Sequence, residues 1–163
     1  MSLSDRLKLG VVSCGYLGCA PFAPGTVGTL GGVAIAWALR DSENYLPWLL
    51  SCVVVIYLIG RSLGDWSEKY AGGKDPGFFV LDEVIGYLIT VAWLGGPTLL
   101  TLAVGFAVFR FFDIVKPWPI RNVERIGGGD GILLDDVVAG LYGWLLIMLP
   151  LRLLLTDVAW NLG

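Results

Sequence analysis

The chain has 163 residues, a length that suits one domain, and 56% of them are apolar while only 15% are charged. Soluble domains average about a quarter charged, so this composition, with a mean hydropathy of +0.74, points to an integral membrane protein. The net charge is only −3, no basic run could track a phosphate backbone, and no nucleic-acid partner is expected. Histidine is absent, which excludes Ser–His and Cys–His nucleophile pairs and imidazole metal ligands.

Taken in chain order, the charged opening "MSLSDRLKLG" leads into an apolar stretch broken by Gly and Pro, unlike a cleavable signal peptide. In "PFAPGTVGTLGG" the prolines forbid a continuous helix, and the first apolar helix is predicted at about 26–39. The second is predicted at 47–62 and the third at 80–94. "GGP" at 95–97 reads as a tight turn into a fourth helix at 98–115, which Pro117 stops. The fifth is predicted at 134–154, its mouth marked by Asp135 and Asp136. The expected fold is all-α: a small polytopic membrane bundle of about five apolar helices, with loops on the cytoplasmic side forming the site. Most of these helices fall short of the roughly 20 residues of a comfortable span. The competing reading, a soluble bundle, fits poorly because the lack of charge extends around whole helices rather than along one stripe.

Sidedness gives an independent reading. If the helices alternate in direction, Arg6, Lys8, Arg61, Lys69, Lys74, Arg110, Lys116, Arg121 and Arg125 share one side, with only Arg40 and Arg152 opposite. The positive-inside rule makes the crowded side cytoplasmic. Trp37 and Trp48 flank the short outer loop as interface anchors, and the GxxxG pairs Gly28/Gly32 and Gly60/Gly64 allow close helix contact. Cys14, Cys19 and Cys52 show no zinc or redox spacing and read as buried, reduced thiols.

Three acidic clusters fall on the cytoplasmic side. They are "KDPGFFVLDEVIG" with Asp75, Asp82 and Glu83, "FRFFDIVKPWPIR" with Asp113, and "GGGDGILLDDVVAG" with Asp130, Asp135 and Asp136. Carboxylates favour helix N-termini, but doubled acids at two helix starts exceed what capping needs. Arg110, Asp113 and Lys116 lie i, i+3, i+6 on one helix face, either as an ion-pair ladder or as a carboxylate flanked by two phosphate-binding cations. Carboxylates gathered on one face repel unless a cation neutralises them, and oxygen-only donors select Mg²⁺ or Mn²⁺. The neighbouring cations imply a phosphate-bearing substrate, hence metal-assisted phosphoryl chemistry at a membrane surface. Pro24-Gly25-Thr26, at a helix start, offers free backbone N–H groups and a hydroxyl for an anion, or simply a helix cap.

With these motifs assembled, the sequence resembles the phosphatidylglycerophosphatase A family of bacteria. The resemblance is carried, in family order, by "PFAPGTVGTL" (21–30), "DPGFFVLDEVIG" (75–86), "FRFFDIVKPWPIR" (109–121) and "GGGDGILLDDVVAG" (127–140). It implies Mg²⁺-dependent hydrolysis of phosphatidylglycerol phosphate to phosphatidylglycerol in the bacterial inner membrane, with the site toward the cytoplasm. It points to Asp82, Glu83, Asp113, Asp135 and Asp136 as the acidic core, partnered by Arg110, Lys116 and Thr26. Asp130 falls where the family pattern varies and is expected to be an accessory charge. Neither a C-x5-R nor a D-x-D-x-[TV] phosphatase motif occurs, which favours attack by water, activated by the metal and one carboxylate, over the alternative of an aspartyl phosphoenzyme. A phosphoalcohol transferase would need a longer D-x2-D-G run, which is missing. An ion-coupled transporter would place its acids near mid-membrane.

Overall fold

A computed structural model describes residues 2–118, 120–123 and 128–155. Arg125 and Gly127, parts of the expected cytoplasmic loop and glycine run, lie outside the described residues. The described chain is helical, with no β-strand among the described residues: α1 Leu3–Val12, α2 Pro24–Leu39, α3 Tyr45–Ala71, α4 Leu81–Thr90, α5 Leu99–Val115, α6 Ile120–Val123, α7 Gly128–Gly143 and α8 Leu149–Leu154. A π-helical segment, Trp144–Met148, joins α7 to α8 without a break in direction.

Local chemistry sets most boundaries. Ser2 and Asp5 form a capping box at α1. Pro24 occupies the first position of α2, where its missing N–H costs nothing. Gly72 ends α3 in the left-handed conformation, donating its N–H to the Glu68 carbonyl at 2.9 Å. The Thr98 hydroxyl caps α5 by accepting from the Thr101 N–H at 3.2 Å.

The helix expected at 80–94 is the centre of the molecule. α4 spans only ten residues, and eight of them are buried. Val84, Tyr87 and Leu88 join Ala36, Leu49, Leu102, Phe109 and Ala139 in one core, while Leu81 and Ile85 pack with Val12, Phe79 and Leu133 in a second. Beyond its two acids α4 is apolar because other helices enclose it, not because lipid does.

The expectation of five spanning helices is corrected here. Among the described residues two helical stretches, Tyr45–Ala71 and Gly129–Leu154, are long and apolar enough to cross a membrane. In their most apolar windows only 11% and 28% of residues are buried, so these faces are not core faces of a soluble bundle. Val54, Val55 and Leu58 on α3 and Leu145 and Leu146 beyond α7 stand exposed, as lipid-facing residues do.

Both GxxxG pairs lie at close contacts: Gly28 and Gly32 face Val80 and Tyr87, and Gly60 and Gly64 face Leu133 and Gly129. A Cβ on Gly64 would run into the Gly129 backbone. That contact explains a second correction. The last helix begins at Gly128 rather than near 134, because its glycines are helical and pack against α3. Asp135 and Asp136 therefore sit about two turns inside the helix, not at its mouth.

The turns at 40–44 and 91–98 meet at one end of the bundle. Gly96 lies against the Arg40 backbone, the Arg40 guanidinium stacks on Trp37, and Arg152 donates to the Val91 carbonyl at 3.4 Å. The two basic residues expected to stand apart from the other nine thus share that end. Cys19 departs from the expected burial and is exposed, whereas Cys14 and Cys52 are half-buried.

Candidate active site

A cavity of about 410 Å³ opens at the other end of the bundle, lined by four pieces of chain. Ala23, Pro24 and Gly25 start α2; Asp75, Gly77 and Phe79 come from the loop before α4; Arg110, Asp113, Ile114 and Lys116 end α5; Asp135 and Asp136 come from α7. Asp82 and Glu83, in the first turn of α4, complete the wall.

Within it, Asp82, Glu83 and Asp136 can each offer a carboxylate oxygen, all within 4.8 Å of one another. Asp82 and Asp136 are buried. Burial pushes the Asp82 carboxyl well above the ordinary carboxylate range, and the Glu83 charge adds to it. Burial also raises Glu83, only partly offset by its hydrogen bond with Asp82 and by the Arg110 charge. Without a counter-cation these acids hold protons more readily than free carboxyls; with one they can ionise together.

The two adjacent pairs behave differently. Asp82 and Glu83 both join the trio, and Asp82 Oδ1 accepts the Glu83 N–H at 3.0 Å. Asp136 joins them, whereas Asp135 turns away and accepts a hydrogen bond from Lys116 Nζ at 2.7 Å. Neighbouring residues of one helix point about 100° apart, which separates Asp135 from Asp136. Arg110 pairs with Asp113 one turn along α5, as the i, i+3 spacing predicts. Glu83 Oε2, Asp135 Oδ1 and Arg110 Nε are buried with no hydrogen-bond partner in the protein. Polar atoms buried in this state normally have a ligand or water to meet them.

Seven of the eight residues predicted for the site line this cavity; Thr26 does not. It lies one position beyond Gly25, and the turn of the helix carries its side chain off the pocket face. Gly25 is the residue that matters there, since a side chain on it would strike the Glu83 carboxylate. Asp130 stands outside, held by Tyr57 Oη at 2.7 Å and Arg61 Nε at 3.1 Å, in keeping with an accessory charge.

Sequence reasoning left out Asp75 and the left-handed backbone. Among the described residues five non-glycines have positive φ, and three of them, Ala23, Asp75 and Lys116, line this one cavity. Each such residue carries strain of about 1–3 kcal/mol, and such strain collects at functional sites. Asp75 stood in the first acidic cluster; only its left-handed backbone marks it out further, and no spacing rule shows that.

An all-helical, largely apolar chain with a buried carboxylate cluster and two fixed cations at one end is the layout of a membrane enzyme acting on a charged lipid headgroup. The particular family follows from comparison: the family model described as Phosphatidylglycerophosphatase A matches residues 10–151. The chain belongs to that family, one of lipid phosphatases. It is 41% identical over 143 residues to the phosphatidylglycerophosphatase A of Escherichia coli strain K12, covering 86% of this chain and 80% of the relative. The Haemophilus influenzae phosphatidylglycerophosphatase A is 34% identical, with 90% of each chain covered. A Bacteroides thetaiotaomicron relative, provisionally named a phosphatidylinositol-3-phosphatase, is 37% identical over 80% of this chain and 84% of its own. No solved structure matches the chain.

Proposed function

We propose that this protein hydrolyses the terminal phosphomonoester of phosphatidylglycerol phosphate, with Mg²⁺ bound in the acidic pocket, at the cytoplasmic face of a bacterial inner membrane. The observation that carries the reading is the trio Asp82, Glu83 and Asp136 beside Arg110 and Lys116, in a chain of this family. The donor set fits the metal: oxygen-only, closely spaced, with the Glu83 Oε2 lone pairs buried and unmet. Asp82, Glu83 and Asp136 are the residues that would hold it. When bound, the cation would neutralise the clustered carboxylates and polarise the phosphoryl group.

The chain's own groups account for the rest. Arg110 offers a planar fork and Lys116 a point charge to the phosphate oxygens, and both stabilise the charge that develops there. Asp113 and Asp135 hold these cations in place. A pocket carboxylate takes a proton from the attacking water as the new P–O bond forms. The bond to the lipid oxygen breaks, and the proton passes to the departing alkoxide, leaving inorganic phosphate and the lipid alcohol. Arg110 and Lys116 at the pocket and the basic residues expected on that side support a cytoplasmic orientation, and the two long apolar helices support passage through the bilayer.

Phosphate release would be measured from phosphatidylglycerol phosphate in mixed micelles, with Mg²⁺ and with EDTA. Phosphatidylinositol 3-phosphate would be run beside it, because one relative bears that name. Activity on the first lipid that EDTA abolishes is the expected result. No release from it sinks the assignment, and EDTA-resistant release sinks the metal site.

A further inference from the structure

Ile114 belongs to two surfaces at once: it lines the acidic cavity and is 70% exposed. It continues a stripe on α5 made of Ala103, Ala107, Phe111 and Ile114, all exposed, at spacings that share one helix face. Arg110, one turn before Ile114, and Asp113 beside it turn into the pocket. Trp118 (79% exposed) stands past the end of α5, and Phe22 (85% exposed) precedes the first turn of α2 across the same pocket. An acidic, cation-bearing cavity therefore has an apolar rim. From that rim the exposed stripe runs along α5 away from the pocket end, and its small side chains at Ala107 and Ala103 leave a track along the helix.

We propose that this track is a lateral portal in which the acyl chains of a two-chain phospholipid lie against α5 while its terminal phosphate reaches over Ile114 into the pocket. The inference rests on the lipid-phosphatase reading and adds where the substrate's apolar half is held. Continuity decides the occupant. Arg110 and Ile114 are four residues apart on one helix, about 6 Å along its axis, so phosphate and chains are gripped by neighbouring turns of the same element. Trp118, exposed past the end of α5, suits the headgroup level of a bilayer, where amphipathic rings collect, and Phe22 adds exposed apolar surface. A soluble phosphomonoester would gain nothing from the track.

The test compares two substrates with the same headgroup, dioleoyl phosphatidylglycerol phosphate in mixed micelles and its water-soluble dibutyryl analogue. Ala107→Trp and Ala103→Trp fill the track, and Leu58→Trp places the same bulk on the exposed face of α3. The readout is the kcat/KM ratio of long-chain to short-chain substrate. Each track variant should lower that ratio by about tenfold, the equivalent of about 1.4 kcal/mol, and Leu58→Trp should leave it at the wild-type value. An unchanged ratio in both track variants, or an equal fall in all three, overturns the portal. If one track variant fails to fold, the other decides. Wild-type protein idle on both substrates would instead overturn the phosphatase reading, and the portal with it.

Discussion

Gly25→Ala separates what the pocket needs from what the fold needs. Gly25 sits in the first turn of α2, and a Cβ there would overlap the Glu83 carboxylate and come within 3.3 Å of Arg110 Nη1. The obstacle is the far end of a flexible side chain, so Glu83 can swing aside, at about 0.5–1.5 kcal/mol if it leaves its rotamer well. Alanine in a helical position returns up to about 1 kcal/mol relative to glycine. The two terms nearly cancel, and the melting temperature should stay within about 4 °C of wild type. Activity should not survive so well. Glu83 belongs to the carboxylate trio, and a displacement of about 1 Å in a catalytic constellation costs on the order of a hundredfold. The assay is phosphate release from phosphatidylglycerol phosphate beside thermal unfolding in the same detergent. Gly64→Ala is the contrasting variant. Its Cβ meets the Gly129 backbone, which cannot swing away, so α3 and α7 must part at a cost of about 1–3 kcal/mol. Wild-type turnover by Gly25→Ala, or a fall in melting temperature matching that of Gly64→Ala, would refute the reasoning.

The remaining expectations concern charges and thiols. Asp136→Asn should lower kcat by at least about a hundredfold, on the order of removing one charge-stabilising group, while Asp130→Asn should stay within about threefold. Asp130 faces Arg61, whose side chain is 60% exposed, so its loss should cost no more than about 1 kcal/mol in chemical unfolding. Lys116→Met removes the partner of the buried Asp135 carboxylate; KM for the lipid should rise and stability should fall, and a variant matching wild type in both would remove Lys116 from the phosphate site. Burial raises the Cys14 thiol, so its native proton is held to higher pH than in the unfolded chain. The stability this gives is complete below the ordinary thiol value and is lost as pH rises through the raised one. Maleimide at neutral pH should accordingly label exposed Cys19 well before Cys14, as read by mass spectrometry of the digest.

Legibility in the sequence followed the kind of physics each feature depends on. The helix starts at Pro24 and Thr98 and the stop before Pro117 rest on local chemistry, and they lie within two residues of where the sequence puts them. The short, buried α4 was not legible as such. A helix wrapped by protein and a helix wrapped by lipid have the same apolar composition, and only the packing of α2, α3, α5 and α7 around it separates the two. The early start of α7 was hidden for a related reason. "GGGDG" reads as a loop unless Gly64 is known to wait across the gap, where a helix of glycines lets two backbones touch.

The site was more legible than the fold because its chemistry is scarce in this sequence. With 14 acids in 163 residues and no histidine, paired carboxylates beside apolar runs stand out, and their long separation in sequence does not matter. The side chains' directions remained hidden. Asp135 and Asp136 are chemically equal in the sequence, yet one steadies Lys116 and the other joins Asp82 and Glu83. That division is useful in itself. Each cation is already matched to one carboxylate, Arg110 to Asp113 and Lys116 to Asp135, and the Arg110 charge offsets the buried trio only in part. Three carboxylates within 4.8 Å cannot all stay ionised without a further positive charge. Either the trio holds protons or it holds a cation, and the proposed reaction, which brings an anion to this spot, favours the second state.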